Sequence, residues 1–260
     1  MEKFAESHLW SATEMEESFI YLAAHNGVNQ NISALAGSTY MDEFCMAEHK
    51  RPIFRYERLF YTMLDAYRPA KTHWTLKSPT VALYFPTIFE EYPDVRLVVT
   101  HRNPLIVLPS YCRLWESFDI PFDIDGTFDK HRFGVLQKKY VDKNLLVPFH
   151  YRKVHPEKED QIFDCIYDEL FKDPIAMVKK VYEKFGLKYS TEFEDRMLAY
   201  LQNNQQGKYG RHKYSLREYG FDAESLYQEY KDYMDHYGFG IPDEMGKRAS
   251  FDWSQLSKPH

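Results

Sequence analysis

The sequence predicts an α/β fold, a parallel sheet flanked by helices, and three features carry that expectation. Residues 95–100 (VRLVVT) are short, β-branched and nearly continuous in apolar character, the pattern of a parallel strand buried on both faces. Ahead of them, Val81, Tyr84, Phe85, Ile88, Phe89 and Tyr92 recur every three to four positions, which draws an apolar stripe along one helix face. Ahead of that again, residues 74–77 read as a short strand. Strand, helix and strand at this spacing form a βαβ unit, so the two strands should run parallel with a right-handed crossover.

The other elements follow in chain order within one domain, 1–260, divided into a helical N-terminal region (1–55), a core (56–240) and a C-terminal tail (241–260). Residues 56–67 pattern as a helix feeding the 74–77 strand, and Pro86 should kink the helix that comes next. Asn103 and Pro104 supply the cap and first-turn residue types that open another helix. Residues 129–150 continue as a polar helix, and 161–167 are a third strand candidate. Asp173 and Pro174 then start a helix with Ile175, Val178, Tyr182 and Phe185 on one face, stopped by Gly186. A helix near 192–201 precedes an irregular segment at 203–213. The last helix spans about 222–238, with Leu226, Tyr230, Tyr233 and Tyr237 on its buried stripe. Most of the 17% aromatic content lies in such stripes and is read as core.

Composition narrows the function. At 260 residues with 44% hydrophobic and 28% charged content, the chain is a folded protein with a sizeable core. Its net charge of −6 is the wrong sign for a dedicated nucleic-acid binder. Cys45, Cys112 and Cys165 are dispersed, with no C-x-x-C, and read as buried thiols in a reducing compartment. No run approaches a membrane span, and the first ten residues lack a signal-peptide core, so as written the chain reads as cytosolic. Glycine is scarce, 11 residues or about 4% against an ordinary usage of about 7%. None of the 11 falls into G-x-x-x-x-G-K-[ST] or G-x-G-x-x-G, so ordinary kinase, NTPase and dinucleotide dehydrogenase readings begin badly.

Candidate chemistry gathers at strand ends. Lys77 and Arg102 each lie just past the carboxyl end of a predicted strand, the edge of an open α/β sheet where ligands bind. Arg102 also precedes a helix N-terminus, where free backbone N–H groups and the helix dipole favour an anion. A guanidinium there grips phosphate bidentately, and Ser110 can add a hydroxyl donor. The same residues also suit a plainer role, a solvated strand-end charge and a serine bonded back to its own helix.

Four motifs in register point further. They are Trp74-Thr-Leu-Lys-Ser-Pro; Tyr92-Pro-Asp-Val-Arg-Leu-Val-Val-Thr-His-Arg-Asn-Pro with Ser110 eight residues after the arginine; Tyr167-Asp-Glu-Leu followed by Asp173-Pro174 and Tyr182-Glu-Lys-Phe-Gly-Leu; and the late segment 207–220 (GKYGRHKYSLREYG). From about Tyr56 to Gly238 the chain thereby resembles the sulfotransferases that use 3′-phosphoadenosine 5′-phosphosulfate (PAPS). The resemblance implies a Rossmann-like, P-loop-type core with PAPS as co-substrate at the strand ends, Arg102 and Ser110 on its 3′-phosphate, and Lys77 near the transferring sulfuryl group. It also implies nucleotide-phosphate contacts from Lys208, Arg211 and His212, an acceptor hydroxyl or amine on a small molecule, glycan or peptide, and no metal.

Two departures from the family pattern matter. Val81 stands where many relatives carry a histidine suited to act as general base, so the base must come from elsewhere: His101 is adjacent to the site as a catalytic candidate but reads more readily as structural, and His8, His25 and His73 are not ranked against it. No P-R-S-G-T-T type loop occurs anywhere in the sequence, and residues 1–27 look like the helical region that follows that loop in relatives. The expectation is that the first strand, the loop and the first helix are missing, and a Golgi location stays open with them. Two functions therefore stand side by side: a PAPS-dependent sulfotransferase, and a catalytically inactive relative that binds a nucleotide or a protein partner.

Overall fold

The computed structural model describes residues 50–120, 126–204 and 215–242. The chain divides into two compact units, one containing Arg96–Gln137 and the chain from Glu157 onward, the other containing the stretch up to Val95 together with Lys138–Pro156. Among the described residues helices predominate, and the sheet is a single parallel pair.

The first unit holds that pair. β1 (Leu97–His101) and β2 (Ile162–Ile166) run parallel in the register Leu97↔Ile162 through His101↔Ile166. Between them in sequence lie α3 (Pro104–Asp119) and α4 (Lys130–Val154), which follow α1 (Arg51–Tyr67) and α2 (Phe85–Glu91) of the second unit. α4 gives its residues as far as Gln137 to this unit and those from Lys138 to the other. After β2 come α5 (Tyr167–Lys172), α6 (Pro174–Lys184), α7 (Thr191–Asn203), a 3₁₀ turn at Leu216–Tyr219, α8 (Ala223–Glu229) and α9 (Lys231–Tyr237).

The apolar core of the unit forms because α3 spaces Leu105, Leu108 and Cys112 along one stripe, all fully buried. Leu216, Tyr219, Leu226, Tyr230, Tyr233 and Met234 are buried as well. At Gly134 a Cβ would lie 2.7 Å from the Tyr219 carbonyl oxygen, so only glycine allows α4 to pass this close to the 3₁₀ turn. A charged knot sits beside that contact. The Glu116 carboxylate, 2% exposed, accepts the Tyr219 hydroxyl at 2.5 Å and pairs with Lys130 at 2.9 Å, while Lys130 also reaches Glu218 at 2.5 Å. Burial alone would raise the Glu116 carboxyl, but the hydrogen bonds from Tyr219 and Lys130 outweigh it and hold the group below its ordinary value.

The second unit packs α1 (Arg51–Tyr67) on α2 (Phe85–Glu91). Phe54 meets the Tyr84 ring edge-on, Arg55 pairs with the buried Glu91 at 3.1 Å, and the Tyr92 hydroxyl donates to Glu57 at 3.0 Å. Within the same unit Tyr151 of α4 stacks on Phe89, the rings 5.6 Å apart.

The sequence expectation needs correction in four places. Residues 73–78 form no ladder, so the 74–77 strand and the βαβ unit built on it are not observed; the parallel pair instead joins β1 to the third candidate strand. β1 is not buried on both faces, since Val98 is 46% exposed. Pro86 is the second residue of α2, which follows a 3₁₀ segment at Pro79–Tyr84, and it kinks nothing, because a residue without an N–H fits a first turn at no cost. The last helix is two, separated at Tyr230 (φ −97°, ψ 12°).

Candidate functional site

The site grows from three consecutive residues at the end of β1. His101 closes the strand, Arg102 turns the chain, and Asn103 caps α3 by accepting the Leu105 N–H at 3.0 Å. Pro104 has no N–H, and the Ile106 and Val107 amides both bond to the Asn103 carbonyl at 3.0 Å. Every early donor of α3 is therefore committed. The expectation that free backbone N–H groups stand open at this helix start is not met.

Arg102 follows β1 directly. Its guanidinium lies 4.4 Å from the centroid of the Tyr167 ring, the first residue after β2, as the register requires when both strands end side by side. The cation–π contact holds the planar group for about 0.5–1 kcal/mol without using its N–H donors. No carboxylate among the described residues pairs with it, and the side chain is only half-buried. Ser110, in the second turn of α3, is likewise half-buried, and its hydroxyl has no hydrogen-bond partner among the described residues.

His101 is placed differently. The ring is 4% exposed, stacked on Tyr237 at 3.8 Å, and held through both nitrogens: Nε2 to the Asp164 carboxylate at 2.7 Å and Nδ1 to the Tyr233 hydroxyl at 2.8 Å. Carboxylate oxygens only accept, so Nε2 carries the proton and in the neutral ring Nδ1 accepts from Tyr233. Burial, then the neighbouring Tyr237 and Asp164, push the Tyr233 phenol above its ordinary value, which keeps it a donor.

Lys77 belongs to the second unit, exposed in the irregular segment ahead of the 3₁₀ turn. Lys208, Arg211 and His212 lie outside the described residues. Sequence reasoning passed over Asp164, Tyr233 and Tyr237 as parts of a site. The signal for Asp164 was present, an acid in the middle of the apolar strand IFDCI; for the two tyrosines there was none, because partner atoms 132 residues away leave no local pattern.

A Sulfotransferase family model matches residues 6–191, well over half of the chain and including Lys77, Arg102 and Ser110. The chain belongs to the sulfotransferase family. Among curated proteins this sulfotransferase-family chain is 23% identical over 194 residues to the omega-hydroxy-beta-dihydromenaquinone-9 sulfotransferase Stf3 of Mycobacterium bovis and of Mycobacterium tuberculosis, covering 73% of its own length and 46% of theirs. It thus spans about half the length of the curated relatives it matches. Among solved structures, sulfotransferase STF9 from Mycobacterium avium superposes with a TM-score of 0.76 at 23% identity, over 92% of this chain and 59% of that one. Sulfotransferase STF1 from Mycobacterium tuberculosis H37Rv gives 0.71 at 22%, over 86% and 57%. These likenesses establish a shared fold. No described helix is long and apolar enough to cross a membrane.

Proposed function

We propose that this chain takes part in sulfuryl transfer from PAPS to an acceptor hydroxyl or amine, with Arg102 and Ser110 binding the 3′-phosphate. The observation that carries the reading is Arg102 itself: a guanidinium oriented by Tyr167 at a strand end, with its donors unclaimed by any carboxylate among the described residues. Buried or half-buried arginines are ordinarily paired, and a free fork is suited to a phosphate. Ser110, whose hydroxyl has no hydrogen-bond partner among the described residues, offers a second donor on the helix that follows. Lys77 supplies positive charge to the transferring group, and Lys208, Arg211 and His212 contact the nucleotide phosphates.

In the transfer, the acceptor oxygen or nitrogen forms a bond to sulfur while the bond from sulfur to the bridging phosphate oxygen breaks. The electron pair leaves with 3′-phosphoadenosine 5′-phosphate (PAP), and the acceptor proton passes to a base. With both nitrogens of His101 engaged, its geometry suits support of the strand end better than that base role.

Calorimetric titration with PAP tests the binding half of the reading. Wild type is expected to bind, and Arg102→Ala to lose about 10- to 100-fold, the value of hydrogen bonds to a charged group at 1.5–3 kcal/mol. Equal affinities in the two folded proteins would remove Arg102 from the site. Transfer of labelled sulfate from PAPS to an acceptor pool tests the other half: binding without transfer assigns the non-catalytic reading.

A further inference from the structure

Arg102 has two neighbours in sequence, and both are tied to the same distant segment. On one side, His101 bonds to the Tyr233 hydroxyl and stacks on Tyr237. On the other, the Asn103 side-chain amide donates to the Gly240 carbonyl at 2.7 Å while its oxygen caps α3. Both residues are buried, His101 at 4% exposure and Asn103 at 8%, and buried polar groups persist where they are paired. Between them the Arg102 side chain has no described partner but the Tyr167 face.

We propose that residues 233–240 act as a strut that fixes the 101–103 turn from both sides, making His101, Tyr233 and Asn103 positioning residues for the Arg102 guanidinium. The inference rests on the reading of Arg102 as a 3′-phosphate anchor and adds what aims it. A turn between a strand and a helix has two soft dihedrals per residue. Pinning the residues before and after Arg102 removes most of that freedom, and a bidentate grip depends on direction more than on charge. Asp164 holds the far side of the His101 ring at 2.7 Å, so the strut passes through the imidazole into β2. Truncating the C-terminal segment's contacts should therefore act on phosphate recognition, although none of its atoms is required to touch the ligand.

Two variants separate aiming from folding. Tyr233→Phe deletes one hydroxyl and keeps the ring; Asn103→Ser keeps a capping oxygen and removes the donor to Gly240. For each, the dissociation constants of PAP and of adenosine 5′-phosphate, which lacks the 3′-phosphate, are measured by calorimetry. The expected result is a 5- to 10-fold fall in the preference for PAP, with adenosine 5′-phosphate binding unchanged; a purely structural role would weaken both alike. An unchanged preference, with Arg102→Ala abolishing it, overturns the strut and leaves the anchor standing. A wild type that shows no preference for PAP overturns the anchor, and the strut is then judged by amide hydrogen exchange at Leu105, Ile106 and Val107, whose partners are all on Asn103. Exchange there should accelerate about tenfold in Tyr233→Phe; no change overturns the strut. Should either variant fail to fold, Tyr237→Leu, which removes the stacked ring beneath His101, takes its place with the same expected and overturning results.

Discussion

At the scale of single residues, a guanidinium and a hydroxyl with no hydrogen-bonding partner among the described residues are cheap to test because little of the fold depends on them. Arg102→Lys keeps the charge and loses the planar fork, so PAP affinity should fall about tenfold while the melting temperature stays within a few degrees. Ser110→Ala should cost one hydrogen bond, about 1 kcal/mol or a fivefold loss of PAP affinity, with the melting temperature unmoved. A clear drop in melting temperature with affinity intact would instead mark Ser110 as a packing residue of α3. The positions of both residues, one after a strand and one early in a helix, were legible in the sequence because such patterns are local; their binding role is the proposal. His101 was legible as a structural residue beside the site but its partners were not, since Tyr233 and Asp164, which claim its nitrogens, arrive from other elements. The backbone donors of α3 were misjudged for a related reason: Asn103 serves as both cap and first acceptor, a double use that residue type alone does not announce.

Between elements, the knot at Glu116 is where α3, α4 and the 3₁₀ turn meet, and it predicts a pH dependence with a definite sign. Its folded carboxyl lies below the ordinary value, so the stability it contributes is present above the unfolded value of about 4.3 and is lost as pH falls through the folded one. Glu116→Gln should therefore be less stable than wild type at pH 7, by about 2 kcal/mol for a charge-assisted bond, and the gap should narrow as pH drops toward 3. Chemical denaturation of both proteins across that range measures it; a gap that stays constant or widens would contradict the assignment. Packing supplies a companion test, because Gly134→Ala sets a methyl 2.7 Å from the Tyr219 carbonyl oxygen and should destabilise the same junction. Elements with strong local signals were readable: Pro174–Lys184 follows its predicted cap and Gly186 stop, and Ile162–Ile166 sits inside its predicted run. Residues 74–77 were misread because strand identity depends on a neighbour. An extended tetrapeptide with apolar residues in alternation becomes a strand only when a ladder forms, and none forms here among the described residues.

Across the whole molecule, charge and ligand oppose each other in a way that gives the last prediction. The chain carries a net charge of −6, and PAP is a polyanion, so the mean field repels the nucleotide and binding depends on local cations. Binding to the native state alone stabilises by about 2.7 kcal/mol at a hundredfold excess over the dissociation constant, which for a chain of this size raises the melting temperature by about 5–10 °C. Adenosine 5′-phosphate at the same free concentration should raise it much less, and Arg102→Ala should erase most of the difference between the two. Raising ionic strength from about 0.05 to 0.5 M shortens the Debye length from about 14 to about 4 Å, and because the Arg102 side chain is only half-buried its attraction for the 3′-phosphate is open to that screening, so salt should narrow the preference for PAP over adenosine 5′-phosphate. Hydrogen exchange then shows which unit responds. Protection by PAP is expected around Arg102 and along α3 in one unit, and at 73–78 in the other if Lys77 serves the transferring group. Protection confined to the first unit would remove Lys77 from the proposed mechanism while leaving the 3′-phosphate anchor in place, and equal thermal shifts with both nucleotides would remove the anchor.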